Sequence, residues 1–329
     1  MVARNIAISA LTLCLRALAW VGTHARWGLA FGLVLALVFQ ELCAWMRPAL
    51  APLVAVTLGL AFLRIEPRTL SYSFGSLRKI AELCGLHAVL AIVTPVALFF
   101  AMSAVGTDTQ LREMAVYTYL APPIASSAAL ALLLGFNARL TLALTLFSGL
   151  LAPVTAPLIA SLLFEATLPV DPLSLGLRLG LITAAGAAIA AMGRAALGAG
   201  AIEANKLPLD GLAALTMFAM IFPLFDGARA AIFAAPVFAS SILLLALVLN
   251  FGLQAIVARI SGRISDGKTA RALGLIAGNR NAALFLAALP ESAGYSLFVA
   301  LYQVPMYLTP LLAPWVLRQR KNDDKSQTQ

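Results

Sequence analysis

Residues Tyr119–Asn137 read YLAPPIASSAALALLLGFN, and the fold follows from how that stretch is taken. It is apolar enough to sit in a bilayer, yet Pro122 and Pro123 stand side by side within it. A proline inside a helix removes one hydrogen bond, and its ring clashes with the carbonyl one turn back. The helix must therefore break here. Small and apolar residues resume from Ile124, with Ser126 and Ser127 just past the break. Bare backbone at membrane depth is tolerated only where it is buried in protein or lines a cavity. A second interruption lies in Gly274–Leu289, GLIAGNRNAALFLAAL, where Gly278, Asn279, Arg280 and Asn281 interrupt an apolar run. Two interrupted segments in corresponding halves of a chain point to the binding site of a secondary transporter. The rest of the sequence reads as a scaffold that brings the two breaks together.

Composition places that scaffold in a membrane. Hydrophobic residues make up 61% of the chain and charged residues 11%, with mean hydropathy +0.93. Soluble domains carry about 25% charged residues, so the sequence reads as an all-α polytopic membrane protein. A net charge of +9 suggests nucleic acid in a soluble chain, but the positions of the charges decide otherwise below. Cys14, Cys43 and Cys84 are scattered without metal-ligand spacing and read as small apolar residues, with no disulfide or metal site. Residues 5–15 with Ala17–Ala19 resemble a signal peptide only faintly, because Arg16 interrupts the pattern before any cleavage site.

A span needs about 20 apolar residues. Residues 1–26 carry Arg4, Arg16 and His24 and read as an interfacial lead-in. Ten spans follow, at 27–46, 48–65, 79–103, 115–135 (the broken segment), 138–164, 174–193, 208–228, 233–257, 270–289 and 294–317, before a polar tail at 318–329. With the N-terminus inside, 18 of the 23 Lys and Arg residues fall on the inner side. Only Arg47, Arg112, Arg178 and Arg229 fall outside, and Arg280 lies within a span. That asymmetry predicts cytoplasmic N- and C-termini and a plasma (bacterial inner) membrane location. The basic charge then marks inner loops; the lipid bilayer is the expected partner, and no nucleic-acid partner is expected.

Ten spans divide into five plus five, residues 27–164 and 174–317. An odd number per half gives the halves opposite orientation if they share a fold. The expected architecture is thus two inverted five-helix repeats whose broken helices, spans 4 and 9, cross near the midplane.

The residues of the first break resemble a known family. Ala121–Leu158, APPIASSAALALLLGFNARLTLALTLFSGLLAPVTAPL, is similar to the fourth and fifth spans of the bile acid/sodium symporter family. Gly278–Asn281 within an apolar helix resembles that family's ninth span, and Leu297–Arg320, with Pro305 and Trp315, resembles its closing span. The resemblance runs through nearly the whole chain in span order, with its specific motifs in the two crossing segments. It implies a carrier working by alternating access, and ligands for sodium in the fourth, fifth and ninth spans. Carried over, the family's serine falls on Ser127 and its two hydroxyls on Thr141 and Thr145, but its asparagine falls on Ala128. Its ninth-span glutamate falls on Ile276 and its glutamine on Arg280. A further sodium-linked glutamine, five residues before Pro95, falls on Leu90. Much of the implied oxygen cage is missing, and no cofactor is expected, with sodium weakly supported. Arg280 brings a permanent charge and five donors. Its guanidinium is expected either to bond half-helix carbonyls where relatives hold sodium, or to face an anionic substrate.

Each candidate has a plainer reading. An arginine at a helix centre costs roughly 2.5–3.5 kcal/mol and normally faces an interior or a cavity; otherwise Arg280 snorkels or pairs with a carboxylate such as Glu82. Pro122 and Pro123 mark a site or a simple kink. Ser126, Ser127, Thr141 and Thr145 line the site or pack between helices, with Thr141 and Thr145 sharing a face at i, i+4. Asn279 and Asn281 are expected to line the crossing. Glu82 and His87 are either proton-handling groups or, for Glu82, a solvated charge. Asp226 and Asp210 read as charges near span ends.

The function read from the sequence is secondary active or facilitative transport of a small organic anion by alternating access, proton-linked or uncoupled and without classical coupling to two sodium ions. The plant auxin-efflux carriers are the fold analogy for sodium independence. The alternatives are a sodium-coupled symporter of the same family, an arsenite exporter and a transport-inactive sensor or scaffold. Arsenite exporters use a cysteine in the broken fourth span, where this chain has none. An enzyme is not expected, since the spans hold no HExxH, no paired aspartates and no Gly-x-Ser-x-Gly.

Overall fold

A computed structural model describes residues 2–65, 74–164 and 169–317, with side chains from Thr12 onward apart from Arg26. The tail at 318–329, Arg68 and the side chain of Arg4 lie outside the described residues. Among the described residues every regular element is a helix. In chain order these are α1 (Val2–Val38), α2 (Gln40–Met46), α3 (Leu50–Leu63), α4 (Leu77–Ala88), α5 (Thr94–Ala104), α6 (Thr109–Leu120), α7 (Ser127–Leu133) and α8 (Ala138–Phe164). Then follow α9 (Pro172–Ala204), α10 (Lys206–Leu224), α11 (Ala228–Ala234), α12 (Pro236–Ser261), α13 (Gly267–Gly278), α14 (Ala282–Ala288) and α15 (Ala293–Val316). Among the described residues seven helical stretches are long and apolar enough to cross a membrane, and the pair Thr12–Ala25 and Trp27–Val38, joined within α1 at an 82° bend, makes an eighth candidate. The chain is a multi-pass helical membrane protein.

The first two expected spans are drawn differently. Residues 27–38 continue α1 past an 82° bend between Ala25 and Trp27, and a single candidate span, Gln40–Leu63, passes through Arg47, the expected connection between spans 27–46 and 48–65. Proline costs little there because it opens a short 3₁₀ turn, Arg47–Ala49, where its missing N–H has no partner to lose. Arg47 is tied down by donating to the Pro223 carbonyl at 3.3 Å.

Contacts divide the chain into two compact units that do not follow its sequence halves. One takes Met1–Ile65 and Leu181–Ala230, the other Glu66–Gly180 and Ala231–Gln329. In the first, α1 lies along α10 with glycines at the seam: a Cβ on Gly22 would sit 3.0 Å from the Gly211 amide nitrogen. Small residues let two helix backbones approach this closely. Within the same unit Arg64 pairs with Asp210, and Arg194 donates to the carbonyls of Phe62, Leu63 and Ile65 that end α3.

The second unit holds both breaks. Its core packs Leu83 and Leu90 against Ala143 and Leu144 of α8 and against Leu273, Ile276 and Ala277 of α13. Asp266 caps α13 by accepting from the amides of Lys268 and Thr269, a common way to satisfy orphan N–H groups at a helix start. Hydrogen bonds from the Thr269 and Lys268 region hold the Asp266 carboxyl below its ordinary value. Between α4 and α5 the backbone widens into a π-helical turn, Val89–Val93. Such turns free backbone groups and occur often at functional sites.

Candidate functional site

The first broken segment ends α6 at Leu120 and resumes as α7 at Ser127; the second ends α13 at Gly278 and resumes as α14 at Ala282. The two breaks meet. Pro123 and Arg280 form an antiparallel bridge, in which Ile124 N donates to Asn279 O at 3.0 Å and Asn281 N donates to Pro122 O at 2.8 Å. The Pro-Pro pair explains why the pairing is short. Neither proline has an N–H, so Pro122 contributes only its carbonyl, and the next available donor is Ile124. Each break thus supplies the backbone partners the other lacks, as burial demands.

Arg280 is the largest fully buried side chain among the described residues, 1% exposed. Its backbone N–H donates to the Tyr302 hydroxyl at 3.0 Å. Its Nη2 donates to two carbonyls, Leu90 O at 3.2 Å and Tyr119 O at 3.1 Å. Nε and Nη1 have no protein partner. Among the described residues no carboxylate pairs with it. Glu82, the expected alternative partner, is exposed and lines a separate cleft of about 330 Å³ with Lys79, Arg139, Asn137 and Thr269. Arginine capping of helix carbonyls recurs, since Arg178 donates to Ala288 O at 3.3 Å. What sets Arg280 apart is complete burial with two donors left over.

The other half-helix end is closed by neutral groups. The Gly278 carbonyl accepts from Asn250 Nδ2 at 2.7 Å and from the Tyr302 hydroxyl. Gln254 Nε2 donates to Asn250 Oδ1 at 2.7 Å and to Thr309 at 3.2 Å, while the Thr309 hydroxyl donates to Asn279 Oδ1 at 3.1 Å. This network of α12, α13 and α15 is wholly buried: Asn250, Gln254, Asn279, Tyr302 and Thr309 are each 0% exposed. Gly278 is required for it, because a Cβ there would collide with the Asn250 carbonyl and Gln254 Cγ.

The remaining candidates divide. Asn281 caps α14, accepting from Leu284 N at 3.3 Å, and Asn279 donates to Leu275 O at 2.8 Å. Both are structural pins of the break. Thr141 is buried and donates back to Asn137 O at 3.0 Å. Ser127 Oγ and Thr145 Oγ1 are buried without a partner, while Ser126 is half-buried beside the break. His87 is buried, bonded through Nδ1 to Ser148 Oγ at 3.0 Å, with Nε2 unpartnered and within electrostatic reach of Arg280. Asn250, Gln254, Tyr302 and Thr309 were not singled out from the sequence. The signal for the first two was a polar i, i+4 pair inside an otherwise apolar span.

These donors do not suit sodium at the positions that the resemblance implies. Leu90 and Ile276 present apolar side chains, 2% and 0% exposed, and Ala128, half-buried, has only a methyl group. A guanidinium already donates to the carbonyls nearby. Comparison of the sequence with protein-family models and with curated proteins finds no match to either.

Proposed function

We propose that the protein is a secondary carrier of a small organic anion, working by alternating access around the crossing of its two broken segments. The observation that carries this reading is the buried Pro123–Arg280 bridge, which sets a permanent cation with unused donors where two half-helices end. A buried charge at membrane depth is costly and marks substrate or ion pathways. A small anion meeting Arg280 Nε or Nη1 would supply the acceptor and the countercharge that the described side chains do not. Counting the two broken segments with the seven candidate spans and the bent pair gives ten, in keeping with two inverted five-helix repeats. Ser127 and Thr145, with unpartnered hydroxyls, are the neutral groups assigned to the substrate.

The test is uptake by proteoliposomes of a panel of labelled mono- and dicarboxylates and amphipathic sulfonates. At least one is expected to enter saturably, at equal rates in sodium and choline media. Uptake that requires sodium would favour the sodium-coupled symporter, and no anion uptake at all would favour a sensor or scaffold.

A further inference from the structure

Two buried carbonyls in the second unit lose their own donors to proline. In an α-helix the carbonyl of residue i accepts from the N–H of residue i+4. For Tyr119 that residue is Pro123, which has no N–H. At Leu90 the π-helical turn moves the donor to i+5, and the Thr94 N–H goes accordingly to Val89 O. The donor for Leu90 would then be residue 95, which is Pro95. Leu90 is 2% exposed and Tyr119 0%, so bulk solvent does not reach them, and unpaired buried carbonyls are costly. One nitrogen, Arg280 Nη2, answers both from a third place in the chain.

Carbonyl oxygens converging from separate chain segments are also what a dehydrated monovalent cation binds. We propose that Arg280 is a cation tethered to the chain, which holds these two proline-orphaned carbonyls together and makes a free ion unnecessary. A neutral residue at 280 would convert the same carbonyls into a site for a free monovalent cation. The inference deepens the carrier reading, and its consequence for coupling rests on that reading: a carrier with its cation built in gains nothing from a sodium gradient. The site itself can be read without transport.

The experiment is thermal unfolding of the purified full-length protein in sodium, potassium or choline chloride at equal ionic strength. The wild-type midpoint is expected to be the same in all three. Arg280→Gln, which adds a side-chain oxygen beside the freed carbonyls, is expected to rise saturably in sodium over choline by roughly 5 °C, since a ligand of the folded state alone stabilises it by mass action. A wild-type rise in sodium over choline would overturn the proposal, as would an Arg280→Gln midpoint that ignores the cation. Should Arg280→Gln not accumulate, Arg280→Lys decides. A lysine variant that folds and ignores sodium supports the tethered cation, and one that also fails to fold overturns it, because charge at 280 is then not sufficient. Uptake by the wild type fails or succeeds independently of these midpoints, so the two readings can be lost separately.

Discussion

Arg280→Met is expected to lower anion uptake roughly 30-fold or more while moving the unfolding midpoint little. Removing one partner of a buried charged contact costs roughly 2–5 kcal/mol of binding, which is a factor of about 30 to several thousand. Stability responds differently because two effects oppose. The variant leaves the Leu90 and Tyr119 carbonyls without their donor, at roughly 1–3 kcal/mol each. It also removes the desolvation cost of a guanidinium that is 1% exposed and has two unused donors; exchanging buried ions for apolar groups is often neutral or better. Initial uptake rates and unfolding midpoints measured on one preparation separate the cases. Loss of uptake at a near-normal midpoint places Arg280 against the substrate, and parallel loss of both makes it only a cap. Arg280→Lys keeps the charge but not the planar fork and is expected to fall between.

Asn250→Leu is expected to be the most destabilising single change outside the bridge, by about 2–4 kcal/mol. Its Nδ2 closes the Gly278 carbonyl at 2.7 Å, and its Oδ1 accepts from Gln254 at 2.7 Å. The Leu side chain is close in size, so the cost is that of stranded polar groups rather than of a cavity. Gln254 Oε1 already lacks a partner, and the variant would leave its Nε2 with Thr309 alone. Tyr302→Phe removes the second donor to Gly278 O and the acceptor of Arg280 N–H, and should cost roughly 1–3 kcal/mol. Because both residues serve one carbonyl, their double variant should depart from additivity. Denaturation midpoints of the four proteins check this; strict additivity would mean that the network does not act as a unit.

The breaks were legible in the sequence because proline and glycine have fixed mechanical meanings. Pro122–Pro123 cannot continue a helix, and Gly278 is the residue that lets α13 approach Asn250. Arg280 was legible for a different reason: a full charge in an apolar run must be answered by something. What answers it was not legible. Leu90 reads as an apolar side chain, whereas its contribution is a carbonyl released by the π-helical turn and Pro95, five residues on. Asn250, Gln254, Tyr302 and Thr309 look individually like polar residues packed between spans, and only the fold sets them around the end of α13. The first spans misled for an electrostatic reason. Arg47–Pro48 has the composition of a loop, but its charge donates to a helix-end carbonyl instead of facing water.

Alternating access at the crossing is the claim most exposed to a single measurement. Ser126 is half-buried immediately after the Pro-Pro break and can carry a reporter thiol in a protein whose Cys14, Cys43 and Cys84 are replaced by alanine. Ser126→Cys would be treated with a membrane-impermeant maleimide in right-side-out and in inside-out vesicles. The account predicts labelling from both faces, because a fixed site is opened to each in turn. Labelling from one face only, or from neither, would contradict it.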